Sequence, residues 1–184
     1  MKIFDELAAF LACCIKQADS TEDLPPLYAL LGYARWNLKD YQAAAAAWDA
    51  AFSLDKNNGL YAANAANAWD LLGKKNEAFK LRLAGGECFL RRQDYAELGA
   101  IVPQLLETGK KDPQAHELAG KWAAATGDTA RAETEMAIAD SLRSAVKKTP
   151  AAKPTAAKPP KAKKLAGKKT AFKEEEKEDE EAEG

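Results

Sequence analysis

The sequence predicts an all-α chain built from helix hairpins. Three observations carry this. The 184 residues include about forty alanines against two valines and four isoleucines. Alanine loses no side-chain entropy in a helix, whereas β-branched residues favour strands. Apolar residues recur at helical spacing in the opening segment and again through 25–58. Similar helix–turn–helix patterns then return at a fixed interval where the match is strongest, as in repeat architectures.

The first element is a packing helix within residues 1–20. Phe4, Leu7, Ala8, Leu11, Cys14 and Ile15 fall at i, i+3, i+4 and i+7 and form one apolar face. The stretch LAAFLACCI has the look of an export signal, but Asp5 and Glu6 stand where such a signal needs positive charge. The expectation is a cytoplasmic protein. Cys13, Cys14 and Cys88 have no disulfide or metal-ligand spacing, which fits reduced thiols. No apolar run approaches the roughly 20 residues needed to cross a bilayer.

The next two elements lie in PPLYALLGYARWNLKDYQAAAAAWDAAFSLDKNN, residues 25–58. Two helical patterns are split at Lys39-Asp40, with Asp40 placed as an N-cap. Gly32, Ala44 and Ala51 are small enough for close helix approach, and Trp48 fills the space between. A second pair starts at Gly59, with Trp69, Gly73 and Ala78 as landmarks. The last pair starts at Pro113, after Asp112, with Gly120, Gly127-Asp128, Ala132, Met136 and Ala139. Between these pairs the period fails: the interval from Gly73 to the next turn signal, Gln93-Asp94-Tyr95, is well short of a full repeat. The sequence favours a break at Gly85-Gly86 over one long helix across 76–92. Two glycines cost about 2 kcal/mol relative to alanines inside a helix. A helix near 95–109 follows, and Pro103 should kink it unless the helix begins there.

The positions of Tyr28, Leu31, Gly32, Ala44, Trp48 and Ala51 resemble the tetratricopeptide repeat, a helix-turn-helix unit with a period of about 34 residues. Lys56 and Arg35 depart from its pattern, where Pro and an aromatic are usual. The resemblance implies a right-handed α-α superhelical solenoid over 21–146, with three to four repeats and an irregular third. It also implies a concave groove, lined by the first helix of each pair, that takes a partner peptide or helix. Carried across, the groove positions are Tyr33, Trp36 and Asn37, then Leu60, Ala63, Asn64, Asn67 and Asp70, then Glu117 and Lys121. Asn64 and Asn67 are poor mid-helix residues whose amides can pair with a peptide backbone. Tyr33 and Trp36 offer aromatic anchor area, or else pack on a neighbouring helix. The family's clamp for a C-terminal carboxylate has Ala29 and Tyr33 at its first-repeat positions here, which argues against that ligand.

Catalysis is not expected. His116 is the only histidine and falls on a packing position. No phosphate-binding glycine loop or nucleophile setting appears. No cofactor is implied. The expected partner is another protein, with self-association open and no membrane.

The tail changes language at Lys147. The net charge of -1 conceals three regions: -4 over 1–146, +10 over 147–173 and -7 over 174–184. Four prolines and low apolar content predict disorder for 147–184. The lysines could bind nucleic acid non-specifically, with a Kd on the order of 10⁻⁴ to 10⁻⁶ M. The adjacent acidic end opposes this, so nucleic-acid association is the alternative function, weak or absent.

Overall fold

The computed structural model describes residues 2–148, all but the short connections in eight helices. The expectations for the tail lie outside the described residues. Helix α1 (Lys2–Gln17) buries Ala8 and Leu11 and packs on α2 (Leu24–Asn37). Helix α2 starts with Pro25 and Pro26, whose missing N–H groups would have had no helical acceptor there. Asp40 caps α3 (Tyr41–Leu54) as expected, accepting the Ala43 N–H at 3.2 Å. Asn58 caps α4 (Gly59–Leu71) by accepting the Leu60 N–H. Then come α5 (Lys75–Arg92), α6 (Tyr95–Thr108), α7 (Pro113–Ala125) and α8 (Thr129–Lys148). Asp112 caps α7 through the Gln114 N–H at 2.8 Å. Consecutive helices pack on one another throughout, and α5 also reaches α7.

The interior changes composition along the chain. Between α3 and α4 it is mostly alanine and tryptophan: Ala44, Ala45, Trp48, Ala65 and Ala68. Around α6 it is larger and branched, with Phe89, Leu98, Ile101, Val102, Leu105 and Leu118. Alanine cores need large partners, and the tryptophans supply them. A Cβ added at Gly32 would come within 2.7 Å of the Trp48 ring. One at Gly99 would come within 2.9 Å of Trp122. In both cases the indole N–H donates to a nearby carbonyl of the same glycine-bearing helix, Ala29 at 3.1 Å and Tyr95 at 3.0 Å. Each indole thus buries its ring and still satisfies its donor. His116 is buried, with its nitrogens 2.7 Å from a Glu135 oxygen on α8 and 3.2 Å from the Lys110 carbonyl.

The expected break at Gly85-Gly86 does not occur: α5 runs unbroken from Lys75 to Arg92. Packing on two sides explains this. A Cβ at Gly85 would lie 3.0 Å from the Gly59 carbonyl and 3.2 Å from the Ala62 Cβ, both on α4. A Cβ at Gly86 would lie 2.5 Å from Leu118 on α7 and 3.2 Å from Ile101 on α6. The two glycines are where α5 is approached closely by α4 on one side and by α6 and α7 on an adjacent one. The contacts they permit offset their propensity cost. Pro103 likewise sits inside α6, with helix on both sides of it. It is exposed, and the carbonyl it leaves without an N–H partner belongs to Gly99.

The turns give the repeat its true register. Lys39, Gly73, Gln93 and Gly127 all have positive φ, between 60° and 87°. Lys39 and Gly73 are one full period apart, and so are Gln93 and Gly127. At the same offset before each turn stands a small buried residue: Gly32, Ala66, Gly86 and Gly120. At a matching offset after each stand Trp48, Arg82, Val102 and Met136. Helix α5 therefore begins as the second helix of one pair and ends as the first helix of the next. The short interval between Gly73 and Gln93 is the mark of a helix shared by two repeats.

Candidate partner-binding groove

The shared register defines which side chains face the same way along the first helices. On α4, Leu60, Asn64, Asn67 and Leu71 lie at i, i+4, i+7 and i+11, and all four are exposed. One period earlier, α2 presents Pro26, Leu30, Tyr33 and Asn37. Leu30, Tyr33, Leu60 and Leu71 are large apolar groups left about half exposed. This face is apolar and amide in character, with no formal charge at those eight positions.

The individual residues expected there are placed as follows. Tyr33 is 54% exposed and meets Phe4 of α1 edge-on at 6.1 Å between ring centroids. Trp36 packs inward, with its ring 5.7 Å from Trp48 and 5.1 Å from Tyr41. The Asn37 amide donates to the Tyr33 carbonyl at 2.8 Å. Asn64 is exposed on the α4 face. Asn67 and Asp70 converge on a residue the sequence did not single out, Arg82 of α5. Its Nη2 donates to Asp70 at 2.5 Å and to Asn67 at 3.3 Å. Arg82 is only 2% exposed, and its Nε and Nη1 make no hydrogen bond to protein. Lys75 also approaches Asp70, at 3.4 Å. The signal that could have found Arg82 is its position, one full period after Trp48. A core slot filled by an arginine needs a carboxylate nearby, and Asp70 is that group.

Lys121 belongs to a second cluster. Between the C-terminal half of α5 and α7 lies a groove of ≈ 390 Å³. Leu90 and Leu118 give it apolar surface. Glu87 and Arg91 line it from α5, and Gln114, Glu117 and Lys121 from α7. Every one of these falls near the turn-defined groove register, because α5 here acts as a first helix. Glu87, Leu90 and Arg91 are absent from the sequence expectation because that role of α5 is. Lys121 bonds Glu117 at 2.7 Å, and Arg143 reaches the same carboxylate from α8. The Lys121 hydrogen bond, its charge and the bond to Arg143 hold the Glu117 pKa below the ordinary carboxyl value, against the opposing effect of burial. Glu117 is thus engaged by two cations, and Arg91 adds a third cation to the rim.

Helix pairs in a repeating register, with small residues at the crossings and one exposed face on the first helices, define an all-α hairpin solenoid. The chain resembles the tetratricopeptide-repeat proteins. A protein of Treponema pallidum (strain Nichols) described as a TPR repeat-containing protein is 33% identical over 132 residues, 72% of this chain. The chain spans about 16% of the length of that relative. No family model matches. Among solved structures, BtubC (BKLC) from P. vanneervenii is similar with a TM-score of 0.44 and 16% identity, over 91% of this chain and 81% of that one. MamA MSR-1 C2 has a TM-score of 0.36 and 12% identity, over 77% and 95%. Among the described residues, no helix is long and apolar enough to cross a membrane.

Proposed function

We propose that the chain is a non-enzymatic interaction module that seats a segment of a partner protein along its first helices. The recognition unit is residues 21–146, with 1–20 as a packing helix and 147–184 as an appended tail. The observation that carries this is the groove between α5 and α7, where two leucines lie among charged and amide side chains. Apolar surface with a few polar groups around it is the usual composition of a recognition site. The α2/α4 face, with Tyr33, Leu60, Asn64, Asn67 and Leu71, continues the same row of positions. It suits an extended or helical segment with apolar side chains. Three cysteines without disulfide partners support a reducing, cytoplasmic setting.

Affinity capture with the full chain tests the proposal. Leu90→Glu/Lys121→Glu alters one groove, and Asn64→Ala/Asn67→Ala alters the other face. Loss of specific partners by either variant, with helical circular dichroism unchanged, supports groove recognition. Partner sets that stay the same with both variants overturn it.

A further inference from the structure

The outer side of α1 is apolar, where the end of a helical array normally presents a polar face. Ile3 is 76% exposed and Phe10 65%. Among the described residues, α2 is the one substantial neighbour of α1. The repeat register shows what this side is shaped to receive. One period before Tyr41, Ala44, Trp48 and Ala51 of α3 stand Leu7, Phe10, Cys14 and Gln17 of α1. In α3 that row faces the first helix of its own hairpin, with Tyr41 against Trp36 and Trp48 against Gly32 of α2. Ala44 is fully buried there, whereas Phe10 in the same slot lies open. Helix α2 repeats the pattern. Leu30 holds the slot that Leu118 holds on α7, at the same offset before its turn. Leu118 is buried against Gly86 of the preceding first helix, whereas Leu30 is half exposed. Both helices therefore leave open the place of one more helix, antiparallel to α1.

We propose that α1 of a second copy fills this place, so that two chains pair through an antiparallel α1–α1 contact. Direction and charge select this occupant. A two-fold axis across α1 makes the partner's α1 antiparallel to it, as a hairpin requires. The charges also alternate along the segment: Lys2 is basic, Asp5 and Glu6 are acidic, Lys16 is basic, and Asp19, Glu22 and Asp23 are acidic. With the axis level with Phe10 and Leu11, Lys2 comes level with the partner's Asp19, and Asp5 and Glu6 with the partner's Lys16. A parallel pair sets like charges level with one another instead. The antiparallel alignment also brings Phe10 beside the partner's Phe10 across the axis, and Leu7 beside the partner's Cys14. Phenylalanine rings that meet in this way bury a large apolar area for one residue. The patch is one helix long, about 24 Å by about 10 Å. That is smaller than the roughly 800 Å² per partner of a standard stable interface. The dimer is therefore a weak one, with a Kd on the order of 10⁻⁵ M.

Sedimentation equilibrium of the full-length protein, from about tenfold below to about tenfold above that concentration, tests the pairing. The mass should rise from that of one chain toward that of two. Phe10→Asp and Ile3→Glu, both at exposed positions, should each weaken pairing at least about tenfold, with helical circular dichroism unchanged. Glu6→Lys should also weaken it, and Glu6→Lys/Lys16→Glu should restore it. Leu7→Cys/Cys13→Ser, oxidised at dimer-forming concentrations, should give disulfides joining position 7 of one chain to Cys14 of the other. Within one helix those two positions lie about 10 Å apart, too far for a disulfide. A mass that stays that of one chain overturns the proposal. So does a dimer indifferent to both Phe10→Asp and Ile3→Glu, which pairs through another surface. Failure of the double charge reversal to recover pairing, or oxidation that yields no joined chains, overturns the antiparallel contact. Capture of a different protein that depends on Phe10, with no dimer formed, assigns the place to a helix of that protein and overturns the second copy as its occupant.

Discussion

Arg82 and Asp70 should make very unequal contributions to stability, although they form one ion pair. Asp70→Ala leaves a guanidinium that is 2% exposed with a single 3.3 Å bond to Asn67. Stranding a buried charge in this way costs about 3–5 kcal/mol. Arg82→Met acts in the other direction. It removes the charge together with Nε and Nη1, two buried donors without protein partners, each of which costs about 1–3 kcal/mol when unsatisfied. Methionine has similar length and fills the slot. Asp70 remains partly exposed, with a side-chain exposure of 24% and Lys75 at 3.4 Å. The net change for Arg82→Met should lie within about 1 kcal/mol of zero. Asp70→Ala/Arg82→Met should then recover most of the loss seen with Asp70→Ala alone. Urea denaturation followed by far-ultraviolet circular dichroism measures all four members of the cycle. In a thermal scan each kcal/mol moves the midpoint by about 2–4 °C. Equal losses from the two single variants, or no recovery in the double variant, would show that the pair is not the buried, under-satisfied contact described.

Three further outcomes follow from the packing and the titrating groups. Gly32→Ala and Gly59→Ala should each destabilise by about 1–3 kcal/mol in the same urea assay, because the new methyl meets the Trp48 ring at 2.7 Å or the Gly85 carbonyl at 2.7 Å; a gain of the size expected from helix propensity would contradict this. Burial raises the Asp49 pKa against the opposing Trp69 hydrogen bond and Lys56 charge, so the folded state disfavours the carboxylate as pH rises through the unfolded value toward the folded one. Asp49→Asn should therefore be the more stable protein at neutral pH, with its advantage shrinking in acid, since an amide oxygen still accepts from Trp69. The opposite sign holds at Glu117, whose lowered pKa gives stability that is present above the ordinary carboxyl value and lost as pH falls through the folded one. Glu117→Gln should be less stable near neutral pH, and the gap should close on acidification, as followed by denaturation midpoints at a series of pH values.

Much of the fold is legible wherever cause and effect lie close in sequence. Gly32, Ala44 and Trp48 sit within one repeat, and their sizes announce the hairpin they build. Asp40 and Asp112 cap the helices next to them. The failures come where the deciding contact is distant. Propensity marks Gly85-Gly86 as a break, yet the atoms that need their missing side chains belong to Gly59, Ala62, Ile101 and Leu118. The second full repeat interval is hidden for a related reason. Its first helix is the C-terminal half of α5, whose N-terminal half already completes the pair before it. The groove follows the same rule. Lys121 and Glu117 can be located from the register of the last pair. Glu87, Leu90 and Arg91 cannot be located before α5 is known to serve two repeats. Arg82 reads as a surface residue until its slot is matched to that of Trp48. Trp36 shows the reverse, since the register puts it on the groove side while its ring turns toward Trp48 and Tyr41.

The shared helix also bears on how the array comes apart. In an ordinary solenoid each repeat touches only its neighbours, and a terminal unit can melt while the rest holds. Here no seam separates the second repeat from the third, because α5 belongs to both. Unravelling α5 from either end removes the wall against which α4, α6 and α7 pack. The central part of the array should therefore melt as one block, with α1 and α8 as the places where fraying starts. A deletion that shortens this protein by a repeat cannot fall at its middle without taking both halves with it.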